Sequence, residues 1–310
     1  MNNNTKIFAF VLGREKELAC AELISVLEHF CFVRKNAADV FRISGNIAFA
    51  KIDFSEDRTD DFKKAISSLA GTIKVFVISD YEKGVSGITS LIKQVKTNEL
   101  KFNFGLSDYS GKDSVSQLNR LGIDIKNNLK KYGFKTRLVA SKDAGDLSSI
   151  LTLKNDLVER GIEIGIFGED IDHRIGELIY LNNPEEWNER DYGKSKGDKF
   201  SGMLPPKLAR MMVNLTSGEC STYNLQLTTD NLVVVDPFCG SGNVLMEAMM
   251  LGCDVIGSDI SPKAVADTKA NIAWLTQESR IKNYVRTSIR RYSYATQLAI
   301  HLCRILILYS

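Results

Sequence analysis

Apolar positions in the first eighty residues alternate between a spacing of two and a spacing of three to four. Strands are predicted at 6–12, 40–43, 47–52 and 73–78, and helices at 15–30 and 61–70. The resulting order of strand, helix, strand, strand, helix, strand is that of a ferredoxin-like domain. We therefore place a first domain at residues 1–80.

A second α+β unit is predicted at residues 81–182. It contains strands near 101–104, 136–140 and 163–167, and helices near 113–132 and 148–160. Within it, residues 93–142 carry eleven basic side chains against four acidic ones. Charge alone favours two interpretations equally, a solvated lysine-rich helix face or a surface that contacts phosphates.

Residues 183–203 are polar and rich in charge, glycine and serine, which predicts a linker or extended loop. A helix is predicted to begin at Leu204-Pro205-Pro206-Lys207, because proline is tolerated in a first helical turn. The apolar residues that follow share one face of that helix, and packing is their simplest role: Leu208, Met211, Met212 and Leu215.

The chain's clearest chemical signal is a glycine turn between an apolar strand and a helix. Residues 232–235 predict a parallel strand covered on both faces, and Asp236-Pro237-Phe238-Cys239-Gly240-Ser241-Gly242 follows directly. Glycines at such a turn let the backbone approach a ligand, and the helix N-terminus favours a carboxylate or phosphate. A second strand, 254–258, ends in Asp259, whose carboxylate is suited to the two hydroxyls of a ribose.

The turn by itself does not select a cofactor. Gly240-x-Gly242 lacks the third glycine of the dinucleotide-binding pattern, and the chain has no Gly-Lys-Ser/Thr of a phosphate-binding loop. A nucleotide-binding oxidoreductase therefore stays open here, as does a purely structural role in which Asp236 and Asp259 cap turns. Cys239 is expected to be a packing residue, because nothing nearby would lower its pKa.

The segment 236–242 resembles motif I of class I RNA methyltransferases, above all the THUMP-domain tRNA guanine-N2 methyltransferases. Further matching stretches cover roughly residues 6–275, and they are Phe8 to Glu15 with Ala21-Glu22-Leu23, Leu147-Ser148-Ser149, Asn155-x-Leu157, Arg190 to Gly193, Gly202 to Ala209, Gly257 to Val265, Asn271 and Trp274-Leu275. The resemblance implies an α/β and α+β chain. Its parts are a ferredoxin-like domain, a THUMP domain that grips tRNA, and an incomplete Rossmann-like methyltransferase domain at 204–310.

The resemblance also implies S-adenosyl-L-methionine as the cofactor and tRNA as the partner. Gly240 and Gly242 would line the cofactor, Asp236 would order the loop near its methionine end, and Asp259 would bind its ribose. Four neighbours would complete the pocket: Pro237, Phe238, Cys239 and Ile260.

One part of the family pattern is missing. The family holds the target amine with an Asp/Asn-Pro-Pro-Tyr/Phe loop, but the five prolines here are Pro184, Pro205, Pro206, Pro237 and Pro262. Leu204-Pro205-Pro206-Lys207 has neither the polar residue before the pair nor the aromatic residue after it. We therefore name no catalytic residue.

The segment 280–310 is atypical of the family. It has no acidic residue and six basic ones, and it does not resemble the expected third strand and catalytic loop. A frameshift or early end after about residue 275 would explain this change. The alternative is an authentic basic tail that binds RNA.

Composition excludes few classes of protein. With 310 residues, 44% apolar content and a net charge of +2, the chain should form two or three globular domains. Its six cysteines form no Cys-x-x-Cys pair and its three histidines lie far apart, so we expect no metal site and no disulfide framework. No segment has membrane-spanning length, and we expect a cytoplasmic protein. The leading hypothesis is a tRNA methyltransferase, and the alternative is a catalytically inactive tRNA-binding protein.

Overall fold

The computed structural model describes residues 5–30, 32–33, 41–142, 144–168, 171–197, 203–220, 232–277 and 287–291. The chain divides into two compact units. Unit 1 comprises residues 1–20, 30–67 and 72–184, and unit 2 comprises residues 21–29, 68–71 and 185–310.

The first part of unit 1 has the predicted order of elements. They are β1 (Thr5–Leu12), α1 (Lys16–His29), β2 (Phe41–Ser44), β3 (Ile47–Asp53), α2 (Thr59–Ser68) and β4 (Thr72–Glu82), with the later part of α1 belonging to unit 2. β1 lies between β3 and β4 and pairs with both in antiparallel orientation. Its residues from Phe8 to Leu12 are buried, as expected for a central strand.

The second part of unit 1 contains two elements that the sequence analysis does not predict, α3 and β8. The full set is α3 (Val85–Val95), β5 (Lys101–Asp108), α4 (Val115–Lys131), β6 (Lys135–Val139), α5 (Ser149–Lys154), β7 (Ile162–Ile166) and β8 (Arg174–Leu181). The helix predicted at 148–160 ends early, because Asp156 adopts a left-handed conformation with a φ of 51°.

The eight strands that the structure describes in unit 1 form one mixed sheet with the order β2-β3-β1-β4-β8-β7-β5-β6. β8 connects the two predicted domains within this sheet, because it pairs antiparallel with β4 on one side and β7 on the other. The predicted boundary at residue 80 falls inside β4. The division into domains at 1–80 and 81–182 stays a prediction.

A buried ion pair lies inside this sheet. Lys74 Nζ lies 2.6 Å from Glu163 Oε1 and also donates to the Leu147 carbonyl at 2.7 Å. The hydroxyls of Ser107 and Thr152 donate to the two carboxylate oxygens, each at 2.6 Å. The carboxylate thus accepts three hydrogen bonds, from Lys74, Ser107 and Thr152, and a buried charge requires such partners.

Within its described residues, unit 2 contains a small parallel sheet and four helices, besides the later part of α1. The elements are α6 (Pro184–Tyr192), α7 (Pro206–Cys220), β9 (Val233–Asp236), α8 (Asn243–Met250), β10 (Asp254–Asp259), α9 (Pro262–Gln277) and β11 (Thr287–Arg291). The sheet order is β11-β10-β9, with both pairs parallel. Its core includes Leu245, Met249, Val255 and Leu275.

Unit 2 departs from the sequence analysis in three places. A linker or loop is predicted at 183–203, but α6 forms there because Pro184 begins the helix and Trp187 and Arg190 are buried. The segment after residue 280 does not resemble the third strand of the family, yet β11 forms there and pairs with β10. Of the atypical segment 280–310, the structure describes only residues 287–291.

The strand predicted at 232–235 is covered on one face rather than two. Val233 and Val235 of β9 are 49% and 43% exposed, whereas core residues of α8 pack against the other side of the sheet. An apolar run therefore does not guarantee burial on both sides.

One buried carboxylate connects the two short N-terminal segments of unit 2 to α7. Glu22 accepts hydrogen bonds from the backbone N–H groups of Ala70 and Gly71 and from Asn214 Nδ2, at 2.9, 2.8 and 2.6 Å. Burial raises the pKa of Glu22, and these donors oppose the rise. The carboxylate thereby joins residues 21–29 and 68–71 to α7.

Among the residues described, no helix is both long and apolar enough to cross a membrane.

The buried pair in unit 1 gives a stability prediction. Glu163→Gln leaves the Lys74 ammonium buried without a counter-charge, and we expect a loss of about 3–5 kcal/mol in the free energy of unfolding, measured by urea denaturation. Glu159→Gln, at an exposed position, should change it by less than about 0.5 kcal/mol. Equal effects of the two substitutions would contradict the assigned role of the pair.

Candidate functional site

The glycine turn joins β9 to α8 through two left-handed residues. Gly240 has a φ of 51° and Gly242 a φ of 89°, a region that side chains disfavour. The Gly242 N–H donates to the Cys239 carbonyl at 2.7 Å, and its own carbonyl accepts the N–H of Met246 in the first turn of α8. A Cβ at Gly242 would lie 2.9 Å from Thr268 Cγ2, so glycine is required there for space as well as conformation.

The two acidic residues hold the turns that follow their strands. Asp236 Oδ1 accepts the Phe238 N–H at 3.0 Å. Asp259 spans two loops, since Oδ2 accepts the Gly240 N–H at 3.0 Å and Oδ1 accepts the Ser261 N–H at 2.9 Å. The turn-capping role is thus present. These contacts do not use the full hydrogen-bonding capacity of the carboxylates, because each carboxylate oxygen can accept two hydrogen bonds.

Two side chains of α9 bind backbone carbonyls of the turn and hold its conformation. Thr268 Oγ1 donates to the Gly240 carbonyl at 2.7 Å, and Asn271 Nδ2 donates to the Ser241 carbonyl at 2.8 Å. Both side chains are fully buried. In the sequence, Asn271 stands out only as part of a matching stretch, and Thr268 does not stand out because a hydroxyl on a mostly apolar helix face carries no local signal.

Residues 194–196 pack against the start of α8 and against α9. Lys194 Nζ donates to Asn243 Oδ1 at 2.6 Å, and Asn243 Nδ2 donates to the Leu204 carbonyl at 2.5 Å. The Lys196 N–H donates to Asn271 Oδ1 at 2.7 Å. Burial lowers the pKa of Lys194. Lys194 and Asn243 are site residues that sequence reasoning missed.

A buried carboxylate on α8 connects two further helices. Glu247 Oε1 accepts Arg190 Nε of α6 and Glu247 Oε2 accepts Arg210 Nε of α7, each at 2.9 Å. The Arg190 guanidinium also lies over the Trp187 ring, 4.1 Å from its centroid. These buried pairs hold α6 and α7 against the helix that begins at the glycine turn.

A cavity of about 620 Å³ opens beside the turn. Of the eight residues predicted for the site, five line it: Asp236, Phe238, Cys239, Gly240 and Asp259. Pro237, Gly242 and Ile260 lie in the same two loops but outside the lining. The remaining wall is supplied by Met203, Leu204, Met212, Ser241, Asn243, Val244, Ser261, Lys263, Ala264 and Asp267.

The cavity combines an open helix end with carboxylates and an aromatic ring. Gly242 precedes α8 without a side-chain cap, so the helix N-terminus can receive an anion. Phe238 is 54% exposed at the rim. Within the described part of the chain, no group of three or more His, Cys, Asp or Glu residues could hold a metal ion.

Burial raises the pKa of the Cys239 thiol to about 11. The thiol is therefore protonated at neutral pH, which makes it a poor nucleophile. This agrees with the packing role expected from the sequence.

Substitution of the two glycines should separate conformational strain from steric conflict. Gly240→Ala meets no atom within 4 Å and should cost about 1–2 kcal/mol for the left-handed backbone alone. Gly242→Ala adds the contact with Thr268 and should cost more in urea denaturation. Thr268→Ser, which removes Cγ2 and keeps the hydroxyl, should partly rescue Gly242→Ala. Equal costs for both glycines without rescue would show that the contact is unimportant.

Alkylation should distinguish the buried thiols. At pH 8, native protein treated with iodoacetamide should remain unmodified at Cys239 and at Cys253, whose pKa burial also raises to about 11. Urea-unfolded protein, analysed by the same peptide mapping, should react at both. Rapid labelling of native Cys239 would contradict the assigned packing role.

Comparison with known proteins identifies relatives for most of the chain. A family model described as DNA methylase matches residues 93–270. A tRNA (guanine(10)-N2)-dimethyltransferase from Methanocaldococcus jannaschii is 23% identical over 279 residues, which are 84% of this chain and 68% of that protein. Proteins of the same name from Methanothermobacter thermautotrophicus and Pyrococcus abyssi are 37% and 34% identical over 73 and 104 residues. Those matches cover 24% and 32% of this chain, and only 19% and 27% of the relatives.

Solved structures give weaker likenesses. TrmN from Thermus thermophilus aligns over 97% of this chain and 75% of its own, with a TM-score of 0.41 and 13% identity. A 4-thiouridine synthetase in a complex with RNA and ATP aligns with a TM-score of 0.36 and 9% identity over 97% of this chain and 68% of its own. At these values, neither supports a conclusion about function.

The family match spans more than half of the chain and includes the glycine turn, β10 and most of α9. It favours methyl transfer over the oxidoreductase that the turn alone leaves open. The chain therefore belongs to the methyltransferase family that this model represents, and by family it is an enzyme.

Proposed function

We propose that the chain is an S-adenosyl-L-methionine-dependent tRNA methyltransferase of the guanine-N2 type. The proposal rests mainly on one contact, in which the Asp259 carboxylate accepts the Gly240 N–H beside a ligand-sized cavity. The names of the three curated relatives supply the substrate class.

The residues present fit the cofactor. A cavity of about 620 Å³ lies within the range of roughly 300–1,000 Å³ typical of small-molecule sites. Asp259 retains acceptor capacity for ribose hydroxyls, and the uncapped start of α8 suits the amino-acid carboxylate. Asp236 accepts the Phe238 N–H and would thereby order the loop near the methionine end of a bound cofactor. When bound, the cofactor supplies an electrophilic methyl group on a sulfonium.

We also propose the domain assignment that the sequence resemblance implies. A ferredoxin-like domain at 1–80 is supported by the order β2-β3-β1-β4, and a THUMP domain would follow at 81–182. An incomplete class I methyltransferase domain at 204–310 is supported by the three parallel strands of unit 2 and the turn between β9 and α8.

In the family that this chain resembles, an Asp/Asn-Pro-Pro-Tyr/Phe loop binds the target amine, and the given sequence contains no such loop. The lone pair of an exocyclic guanine amine is delocalised into the ring, so the enzyme must position it and accept its hydrogen bonds. The only Pro-Pro pair is Pro205-Pro206, between leucine and lysine. The second candidate function is the alternative named from the sequence, a catalytically inactive tRNA-binding protein.

Methyl transfer separates the two candidates. Full-length protein is incubated with unmodified tRNA transcript and methyl-labelled cofactor, and the nucleosides are analysed by mass spectrometry. Labelled N2-methylguanosine supports the enzyme. Binding of tRNA without label in any nucleoside supports the inactive binding protein, and absence of both contradicts the proposed function.

The cofactor role of Asp259 gives a direct prediction. Asp259→Ala removes a charged acceptor and should weaken S-adenosylhomocysteine binding about 10- to 100-fold in calorimetry. Asp254→Ala is the control, because Asp254 begins the same strand and does not line the cavity. Unchanged affinity in a folded Asp259→Ala protein would exclude this carboxylate from the cofactor site.

A further inference from the structure

Lys194 is a buried cation just beyond the end of α6, with 6% of its surface exposed. Among the residues that the structure describes, no ion pair involves its side chain. Glu247 on α8 is already paired with Arg190 and Arg210. Burial of an ammonium group without a counter-charge is costly, so packing alone does not explain a lysine at this position.

The Lys194 side chain is bound to the first residue of α8. Its Nζ donates to Asn243 Oδ1 at 2.6 Å, and Asn243 Nδ2 donates to the Leu204 carbonyl at 2.5 Å. Because an ammonium group only donates, the amide oxygen must face Lys194. The amide nitrogen carries two hydrogens, so Nδ2 keeps one for a further acceptor. Asn243 lines the cavity beside the glycine turn, whereas Lys194 does not.

The start of α8 presents further hydrogen-bond donors to the same cavity. Gly242 precedes the helix without a side-chain cap. Within the described part of the chain, the backbone N–H groups of Asn243 and Val244 have no acceptor. Both residues line the cavity. Together with the remaining hydrogen of Asn243 Nδ2, these N–H groups are a set of donors suited to one carboxylate.

A positive charge at Lys194 strengthens this set of donors. The ammonium group polarises the Asn243 amide through its hydrogen bond to Oδ1, which makes the Nδ2 hydrogens better donors. The same charge adds to the positive end of the α8 dipole. Because Lys194 is buried, solvent and salt screen its charge only weakly. An anionic group in the cavity would supply the counter-charge that Lys194 lacks among the described residues.

We propose that Lys194 is a positioning residue for the amino-acid carboxylate of S-adenosyl-L-methionine, and that it acts through Asn243 at the start of α8. This inference rests on the proposed function. It names the charge by which the site distinguishes the whole cofactor from a form that lacks the carboxylate. Lys194 does not line the cavity, so its effect on the carboxylate is indirect.

Calorimetry of the full chain with two matched ligands tests this role. S-adenosyl-L-methionine and decarboxylated S-adenosylmethionine differ only in the carboxylate. Lys194→Met removes the charge and keeps most of the side-chain length, and it should weaken binding of S-adenosyl-L-methionine about tenfold. Binding of the decarboxylated ligand should change less than about twofold, because that ligand lacks the group on which the charge acts.

Three further variants separate the charge from the fold. Lys196→Met is the matched control, because Lys196 is exposed and its hydrogen bonds with Asn271 come from the backbone, and both affinities should stay unchanged. Lys194→Arg keeps the charge and should keep the ratio of the two dissociation constants. Lys194→Gln keeps a donor without the charge and should behave like Lys194→Met. It provides the neutral variant if the methionine variant does not fold.

Several results would overturn the inference. Equal weakening of both ligands by the neutral variants would show that Lys194 only supports the fold. Unchanged affinity for S-adenosyl-L-methionine, in a neutral variant with the circular dichroism of the unmodified protein, would show that the charge has no role. If the unmodified protein binds both ligands equally well, the inference fails and the proposed function stands. If the unmodified protein binds neither ligand, the proposed function fails with it.

Discussion

The architecture of the candidate site depends on the hydrogen bond between the Gly240 N–H and the Asp259 carboxylate. This contact joins the ends of two parallel strands across nineteen residues of sequence. It is possible only because Gly240 and Gly242 take left-handed conformations and because the latter lacks a side chain where Thr268 lies. By holding the Gly240 N–H, the Asp259 carboxylate fixes the turn that precedes α8. The N-terminus of α8 and the remaining acceptor sites of Asp259 thereby lie at one cavity. In the proposed function, the same carboxylate would serve the turn and the ribose.

Buried charged side chains on the neighbouring helices hold the turn in this conformation. Glu247 binds arginines of α6 and α7, and Lys194 binds Asn243 at the first residue of α8. Buried ion pairs contribute little net stability by themselves, but loss of one partner is costly. They therefore favour one arrangement of the helices around the turn. In unit 1, the buried pair of Lys74 and Glu163 lies between β4 and β7 of the eight-stranded sheet.

Local patterns in the sequence were sufficient for most of unit 1 and for the turn. Residues 5–82 follow the predicted order of elements, and five of the eight expected site residues line one cavity. The misses have physical causes. α6 and β11 form in polar or basic stretches where tertiary contacts outweigh composition, and β9 is covered on one face despite its apolar run. Thr268 and Lys194 act through partners 28 and 49 residues away, which no local pattern reports.

The two loops around Gly240 and Asp259 form the proposed site for a sulfonium nucleoside. Amide hydrogen exchange of the full chain, measured by mass spectrometry with and without S-adenosylhomocysteine, tests it most directly. Slower exchange is expected in peptides covering 236–246 and 257–264 when S-adenosylhomocysteine is added, and no such change when NAD is added. Protection by NAD, or no protection of these peptides by S-adenosylhomocysteine at saturating concentration, would contradict it.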